Sequence, residues 1–399
     1  MDDYRIVFYG GGFKASNVCE IDPTQVIYAR VTESIYDIGT LELSTTQYVP
    51  YLARMTVFDT RRNRYVGEYV LTESSSTSTA SSVVYKYTAI ASVYYDLSLE
   101  TVAGGQINRD NTRAVFDMLY NNIYHSSVWV PLATSLSQND IYCPYTDFVS
   151  EMTLWDTLQF IMGNLDCDSA QIIATWIQPK IYAYNGPGPH RRVGIEIALS
   201  TQQPTRTVDI ASNAQSIVRE ISYTGVCERS RILYSGSLDG GPSRLFHLES
   251  LTSSDPWLTA YISPKFGTKS YYMDNSGQMS SYKKTNIFKE TDMKPADVAG
   301  SYSNKKRLES AAKTELLRNS DYPVEYKVVL NNDEDFNIGD VVILKTNVPP
   351  IYYALPTTYE AVTVLCSGYK LDLCTGYKQY TFGTSAVTRT PKIETRRSS

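Results

Sequence analysis

The sequence predicts a mainly β protein carrying α+β insertions, and three observations lead there. Short runs of alternating or β-branched apolar residues recur along the chain, bounded by clusters of Gly, Pro, Asn, Asp and Ser. The aromatic set is lopsided, with 33 Tyr against 11 Phe and 4 Trp. Two readings of that excess stand: large subunit interfaces, or a β-rich fold with half-exposed aromatic positions. Helical periodicity is confined to three segments. At 399 residues the chain can hold roughly two to four domains.

The first hundred residues read as strands. Val26–Val31 is β-branched and apolar, and Gly39–Ser44 alternates with a period of two. Met55–Phe58 and Tyr65–Leu71 flank a polar turn from Asp59 to Arg64, the pattern of a hairpin. The run Ser74–Ser82 reads as a loop, with threonines able to carry a solvated strand edge through part of it. Val83–Leu99 resumes strand chemistry. After a break at Ala103-Gly104-Gly105, Asn111 is placed to cap a helix with Ala114, Val115, Met118, Leu119 and Ile123 on its apolar face. A second helix begins near Thr153, with Asp156 in capping-box fashion, and ends near Gly163-Asn164. Ile172–Tyr184 and Val193–Leu199 are joined by Asn185-Gly186-Pro187-Gly188-Pro189 and read as a hairpin.

Strands are expected again at Ile217–Tyr223 and Ser230–Tyr234, followed by an irregular polar stretch from Gly236 to about Gly300. A third helix spans Asn304 to Leu317, and Asp321-Tyr322-Pro323 stops it. Strands resume at Val324–Leu330, Asp340–Leu344, Tyr359–Leu365 and Tyr369–Thr381. β-rich stretches therefore occur twice, each with a helical segment following it or lying inside it. The boundaries this gives are residues 1–105 for a first β domain and 106–205 for an α+β insertion. A second β domain is made of 206–235 with 320–385, an irregular and helical insertion covers 236–319, and a basic tail covers 386–399.

Composition removes several function classes. A net charge of −5 counts against a dedicated nucleic-acid binder, which would show a basic face. No stretch approaches the ~18 uninterrupted apolar residues of a spanning helix. The start, Met1-Asp2-Asp3-Tyr4-Arg5, lacks the features of a signal peptide, so synthesis in a cytoplasm is expected. The six cysteines (Cys19, Cys143, Cys167, Cys227, Cys366, Cys374) form no CxxC, and His125, His190 and His247 lie far apart. Free thiols and no metal or other cofactor are expected.

Motifs that would carry catalysis are missing. Gly10-Gly11-Gly12 follows a short strand without GxGxxG spacing, so a loop is the reading. Asp333, Asp335 and Asn337 alternate like the start of a calcium loop, but its sixth and twelfth positions are Ile338 and Leu344 instead of Gly and Glu; an acidic turn is expected. No GxSxG, HExxH or P-loop occurs. Asp166 and Asp168 are the spacing of a carboxylate pair, unremarkable among 42 acidic residues. No catalytic residue is assigned. The basic C-terminal segment, with Arg389, Lys392, Arg396 and Arg397, is a candidate docking arm for an acidic neighbour or nucleic acid, or else a solvated tail.

The order of these pieces resembles the hub (tail-associated) proteins of siphophage tail tips, and through them the hub of contractile-tail baseplates. The residues that carry the resemblance lie late: the helix with Leu308-Glu309-Ser310-Ala311-Ala312, the strand Tyr326–Leu330, then Phe336-Asn337-Ile338-Gly339-Asp340-Val341-Val342. In that turn Gly339 permits a tight backbone and Asp340 can bond the turn amides. Asp209–Asn213, Ile217–Tyr223 and Arg229–Tyr234 match the lead-in to a second barrel. The resemblance implies two small β-barrel domains of tail-hub type plus helical and α+β insertions. It further implies a homotrimer that presents six barrels to a six-membered ring. The implied partners are a distal tail protein ring, the tape-measure protein and spike or fibre proteins, with no membrane span and only transient passage of DNA. The implied place is the tail tip of a virion, after synthesis in the host cytoplasm. The chain stops at Ser399, where lytic relatives continue, so a non-enzymatic hub is expected. Two rivals remain: a receptor- or carbohydrate-binding tail module whose tyrosines stack on sugars, and a tail-associated cell-wall hydrolase.

Overall fold

The computed structural model describes residues 3–10, 18–35, 37–49, 53–99, 101, 105–107, 130–131, 141–142, 146–148, 152–163, 166–167, 172–183, 191–201, 204, 206–221, 229–236, 244–247, 271–273, 279–281, 285–289, 324–331, 334–347 and 361–383. The expected helices after Asn111 and from Asn304 to Leu317, the Asn185–Pro189 turn and the basic tail lie outside them. The chain divides into two compact units. The first holds residues 1–219, 325–384 and 390–399, and the second holds 220–324 and 385–389. The protein is mainly β sheet with few helices.

The first unit contains β1 (Tyr4–Tyr9), β2 (Val18–Glu20), β3 (Val26–Ser34), β4 (Thr40–Thr45), β5 (Arg54–Asp59), β6 (Arg64–Ser78) and β7 (Val83–Ala91), then α1 (Ser92–Ser98) and α2 (Leu154–Gly163). A long hairpin, β8 (Ile172–Ala183) and β9 (Arg191–Thr201), precedes β10 (Arg206–Asp209) and β11 (Ala214–Ile221). After the second unit come β12 (Val324–Leu330), β13 (Val341–Lys345), β14 (Ala361–Asp372) and β15 (Lys378–Gly383). Thirteen of these strands form one hydrogen-bonded path, β11-β12-β15-β14-β3-β4-β7-β6-β5-β1-β2, with β13 on β14 and β10 on β13. Among the described residues the seven N-terminal and six C-terminal strands meet at a single pairing. There β14 lies antiparallel to β3, from Gly368↔Ser34 through Tyr369↔Glu33 to Asp372↔Arg30.

Alternation builds the core. Ile6 and Phe8 on β1, Ala29 and Val31 on β3, Leu41 and Leu43 on β4, and Met55 and Val57 on β5 are buried in one cluster. Leu371 and Leu373 from the C-terminal strands are buried in the same cluster, so the two sets of strands share apolar packing at their junction. Each of the larger side chains contributes about 1.5–3 kcal/mol on leaving water, and Ala29 less. Tyrosine is a core residue as well: Tyr9, Tyr69, Tyr326 and Tyr380 are among the largest fully buried side chains.

The structure departs from the sequence pattern at three places. The Ser/Thr run is strand as far as Ser78, laddered against β7 from Ser74↔Tyr87 to Ser78↔Val83. Its side chains are solvated on both faces, which is why composition alone reads as loop. The strand expected through Leu99 ends at Ala91, and Ser92–Ser98 is helix α1. Val93 and Leu97 are four apart and bury one side of it, a spacing that also passes for strand over so short a stretch. The two strands read at 359–365 and 369–381 are instead one long β14, a turn and β15. Ser367-Gly368 is a bulge between Cys366 and Gly368, not a break. A Cβ at Gly368 would stand 2.4 Å from the Glu33 carbonyl oxygen, so the close approach of β3 needs this glycine.

Helix α2 starts as its sequence predicts. The Thr153 hydroxyl accepts from the Asp156 amide at 3.1 Å and caps the first turn. Within the second unit, Arg229–Gly236 pairs antiparallel with Arg244–His247 and parallel with Thr285–Lys289, while Tyr271–Met273 pairs with Met279–Ser281. No helix among the described residues is long and apolar enough to cross a membrane.

Candidate functional site

The strongest convergence of polar chemistry lies where the Gly339-Asp340 turn enters β13. Gly339 has φ +93°, and its amide donates to the Cys366 carbonyl at 2.8 Å. The Asn337 amide donates to Asp340 Oδ2 at 2.9 Å, and the Asp340 amide donates to the Asn337 carbonyl at 3.1 Å. The carboxylate thus closes the turn on itself, an Asx-type arrangement. Trp176 of β8 is packed on top: a Cβ at Gly339 would lie 2.1 Å from its Cη2 atom. Position 339 therefore requires glycine twice, for its dihedral and for the indole.

Just before the turn, Asp335 gathers charge from distant parts of the chain. Its Oδ1 accepts from Lys378 Nζ at 2.7 Å and from the Tyr380 hydroxyl at 2.5 Å. Its Oδ2 pairs with Arg64 and lies 3.6 Å from Arg62 Nε. Arg62 also holds Asp59, at 3.0 Å. Burial alone would raise the Asp335 pKa, but Lys378 foremost, Tyr380 and Arg64 outweigh it and hold the carboxyl well below its usual range. Tyr380 is pushed up, by burial first and then by the carboxylate it donates to. The same hydroxyl accepts from the Phe336 amide at 3.3 Å, and Phe336 packs edge-on against Tyr380 and Phe382. Arg206 covers the other side. Its guanidinium stacks 4.0 Å over Phe336 and donates to Asp340 Oδ2 at 3.1 Å and to the Asp335 carbonyl at 3.0 Å.

A cavity of about 200 Å³ opens beside this cluster, lined among others by Tyr4, Glu33, Arg64, Trp176, Phe336 and Tyr369. Glu33 is half-buried on the wall of this cavity. Oε1 accepts from the Tyr69 hydroxyl at 2.5 Å, and Oε2 lies 2.5 Å from where a Gly39 Cβ would stand. Burial pushes its pKa from an ordinary 4.5 up to about 7, against the opposing pull of the Tyr69 hydrogen bond. A second buried charge cluster braces the N-terminal strands: Arg54 of β5 donates to Glu68 of β6 at 3.0 Å and pairs with Asp96 of α1.

Chemically the arrangement is a fastening. Asp59, Asp335 and Asp340 each hold a cation, Cys366 is buried with its thiol pushed up to about 12 by desolvation, and among the described residues no metal-ligating cluster occurs. Of the residues singled out in the sequence, Gly339 and Asp340 sit in the turn itself, whereas Arg389, Lys392, Arg396 and Arg397 lie outside the described residues. Asp335, weighed as part of a calcium-like loop, is the hub of the ion cluster. Its partners Arg62 and Arg64 were visible only as a polar turn 271 residues away, and no local spacing connects them.

No family model and no curated sequence matches the chain. Solved structures do. A prophage tail protein from Listeria monocytogenes matches with a TM-score of 0.51 at 11% identity, covering 96% of this chain and 94% of that one. A tail protein from Neisseria meningitidis matches with a TM-score of 0.54 at 9% identity, covering 97% and 98%. The 43 kDa tail protein of prophage MuSo2 from Shewanella oneidensis matches with a TM-score of 0.52 at 11% identity, covering 96% and 99%. At such identities only the backbone plan is held in common, and over nearly its full length this chain has the fold of phage tail proteins.

Proposed function

We propose that the protein is a non-enzymatic structural hub of a phage or phage-like tail tip, located in the virion. The observation that carries this reading is the full-length likeness to tail proteins of three different prophage-bearing or bacterial sources. The two ends of the thirteen-strand path are read as two small barrels, one built on β1–β7 and one on β10–β15, joined at the β14–β3 pairing. Three copies then present six barrels, matching a ring of six distal tail protein subunits by pseudo-symmetry. The lumen of such a trimer closes the tube until host contact and passes DNA afterwards, with the tape-measure protein above and spike or fibre proteins below.

The site chemistry fits a fixed joint better than a reacting centre. Asp335 and Asp340 are consumed in structural pairs, and the tyrosines that a sugar-binding reading needs at the surface are in several cases buried with partnered hydroxyls. The decisive experiment is reconstitution: purified protein is added to tails lacking it, and the particles are imaged by cryo-EM. Three copies at the distal end are expected. A stable monomer that never joins tails overturns the hub reading, and clearing of host peptidoglycan in a zymogram overturns the non-enzymatic one.

A further inference from the structure

Glu33 and Asp59 both line the cavity, and among the described residues only Asp59 of the two has a cation on it. Glu33 lies on β3 opposite Tyr369 of β14, inside the pairing that joins the N-terminal and C-terminal strands. Three features fix its carboxyl there. Gly39 leaves the space Oε2 occupies, Gly67 leaves the space the Tyr69 hydroxyl occupies at 2.5 Å, and Gly368 lets β14 approach the Glu33 backbone. A side chain at Gly39 or Gly67 would have to displace this pair, and one at Gly368 would push β14 away from the Glu33 backbone.

The ionisable groups that face the carboxyl are accounted for element by element. From β6, Tyr69 donates to it, and Arg64 is turned to Asp335. Arg62, in the β5–β6 turn, holds Asp59 and leans to Asp335. From β14, Tyr369 is held neutral by burial and by Glu33 itself; from β15, Lys378 is committed to Asp335. From β1, Tyr4 on the cavity wall is likewise pushed up by burial and by Asp59. The residue that closes the cavity from β8, Trp176, carries no charge. Among the described residues an ionised Glu33 would therefore have one hydrogen bond and no counter-charge, which disfavours the anion.

We propose that Glu33 is a proton-operated latch: the seam between the N-terminal and C-terminal strands closes on the protonated carboxyl and loosens when the proton leaves to solvent. No other bond is made or broken, and Tyr69 keeps its own proton. The stabilisation runs in one direction. A carboxyl whose folded pKa lies above its unfolded value binds more protons when folded, so stability is greatest below 4.5 and declines as pH rises to about 7. The full change corresponds to a ~10²-fold drop in the folded-to-unfolded ratio. This idea does not depend on the tail-hub reading, because it concerns the isolated chain.

The test is urea unfolding of the full chain between pH 5 and pH 8.5, for the wild type, Glu33→Gln and Tyr69→Phe, with a carbon-13 titration of the Glu33 side chain in the wild type. The wild-type midpoint should fall with pH across this range, and Glu33→Gln should flatten that dependence. Tyr69→Phe removes the hydrogen bond that favours the anion and should move the titration upward. Should Glu33→Gln fail to fold, the carbon-13 titration decides alone: a midpoint near 7 supports the latch. A midpoint below 5, or an unchanged pH profile in Glu33→Gln, overturns it.

Discussion

Replacing Gly339 by alanine isolates the two demands made on that residue. At φ +93° a Cβ costs about 1–2 kcal/mol from backbone strain. The same Cβ would lie 2.1 Å from Trp176 Cη2 and 2.5 Å from Cζ2, so the indole must move, and overpacking of a buried site costs about 1–3 kcal/mol. Trp176 is only 8% exposed, and the cavity it borders is the space into which the indole would have to shift. Together Gly339→Ala should lose roughly 2–5 kcal/mol. The two parts separate in a double-mutant cycle with Trp176→Leu, measured by urea unfolding followed by far-UV circular dichroism. In the leucine background only the backbone strain remains, so Gly339→Ala should cost about 1–2 kcal/mol there. If the alanine costs the same in both backgrounds, the indole is not seated on the turn. A neutral Gly339→Ala in both would mean that the turn is not left-handed at all.

Asp335→Asn should cost about 2–3 kcal/mol at pH 7, because it leaves Lys378, Arg64 and Arg62 clustered around a neutral amide in a half-buried site. Its carboxyl pKa is depressed on folding, so that contribution is fully present above 3.8 and shrinks as pH falls further; parallel melts at pH 7 and pH 3 should show the gap between wild type and variant narrowing. Arg54→Met should lose about 3–5 kcal/mol by leaving the buried Glu68 and Asp96 facing each other, and adding Glu68→Gln with Asp96→Asn should recover much of the loss in urea titrations. Arg206→Ala, whose side chain is 45% exposed, should cost no more than about 1 kcal/mol by the same measurement despite its several contacts.

Elements were legible where periodicity is local. β4 follows from alternation, β3 from its β-branched apolar run, β5 and the first half of β6 from the hairpin pattern around Asp59–Arg64, and the cap of α2 from Thr153 and Asp156. Two of the three departures share one physical cause, a tertiary partner that overrides the local signal, whereas at Ser92–Ser98 the spacing itself fits helix and strand alike. Ser74–Ser78 is strand since β7 supplies its ladder, and Gly368 is a bulge since β3 comes within contact of it. The site was half legible. Gly339-Asp340 stands out as a turn by chemistry, but the groups that hold Asp335 beside it come from 43 residues away at Lys378 to 271 residues away at Arg64. Tyrosine burial was the missed signal. Tyr69 and Tyr380 alternate in phase with apolar neighbours on their strands, and each finds a carboxylate for its hydroxyl, so both pack as core residues.

The seam's two carboxyls show how the same burial gives opposite behaviour. Desolvation raises both Asp335 and Glu33, and the neighbours decide the outcome. Asp335 draws cations from β6, the β5–β6 turn and β15, so it stays ionised and ties strands from both ends of the sheet together. Glu33 has one tyrosine, so it favours the neutral form within the β14–β3 pairing. The sign of each linkage follows. Asp335 supports the seam above 3.8 and progressively less below it, whereas the cost of Glu33 begins above 4.5 and is complete beyond about 7. The joint is therefore strongest in a mildly acidic window and gives way on either side of it by different bonds. Acid releases the ion cluster around Asp335, while base strains the strand pairing at Glu33. A junction that combines a strand pairing, an ion cluster and shared apolar packing can in this way be weakened at either polar element while Leu371 and Leu373 stay buried among β1–β7.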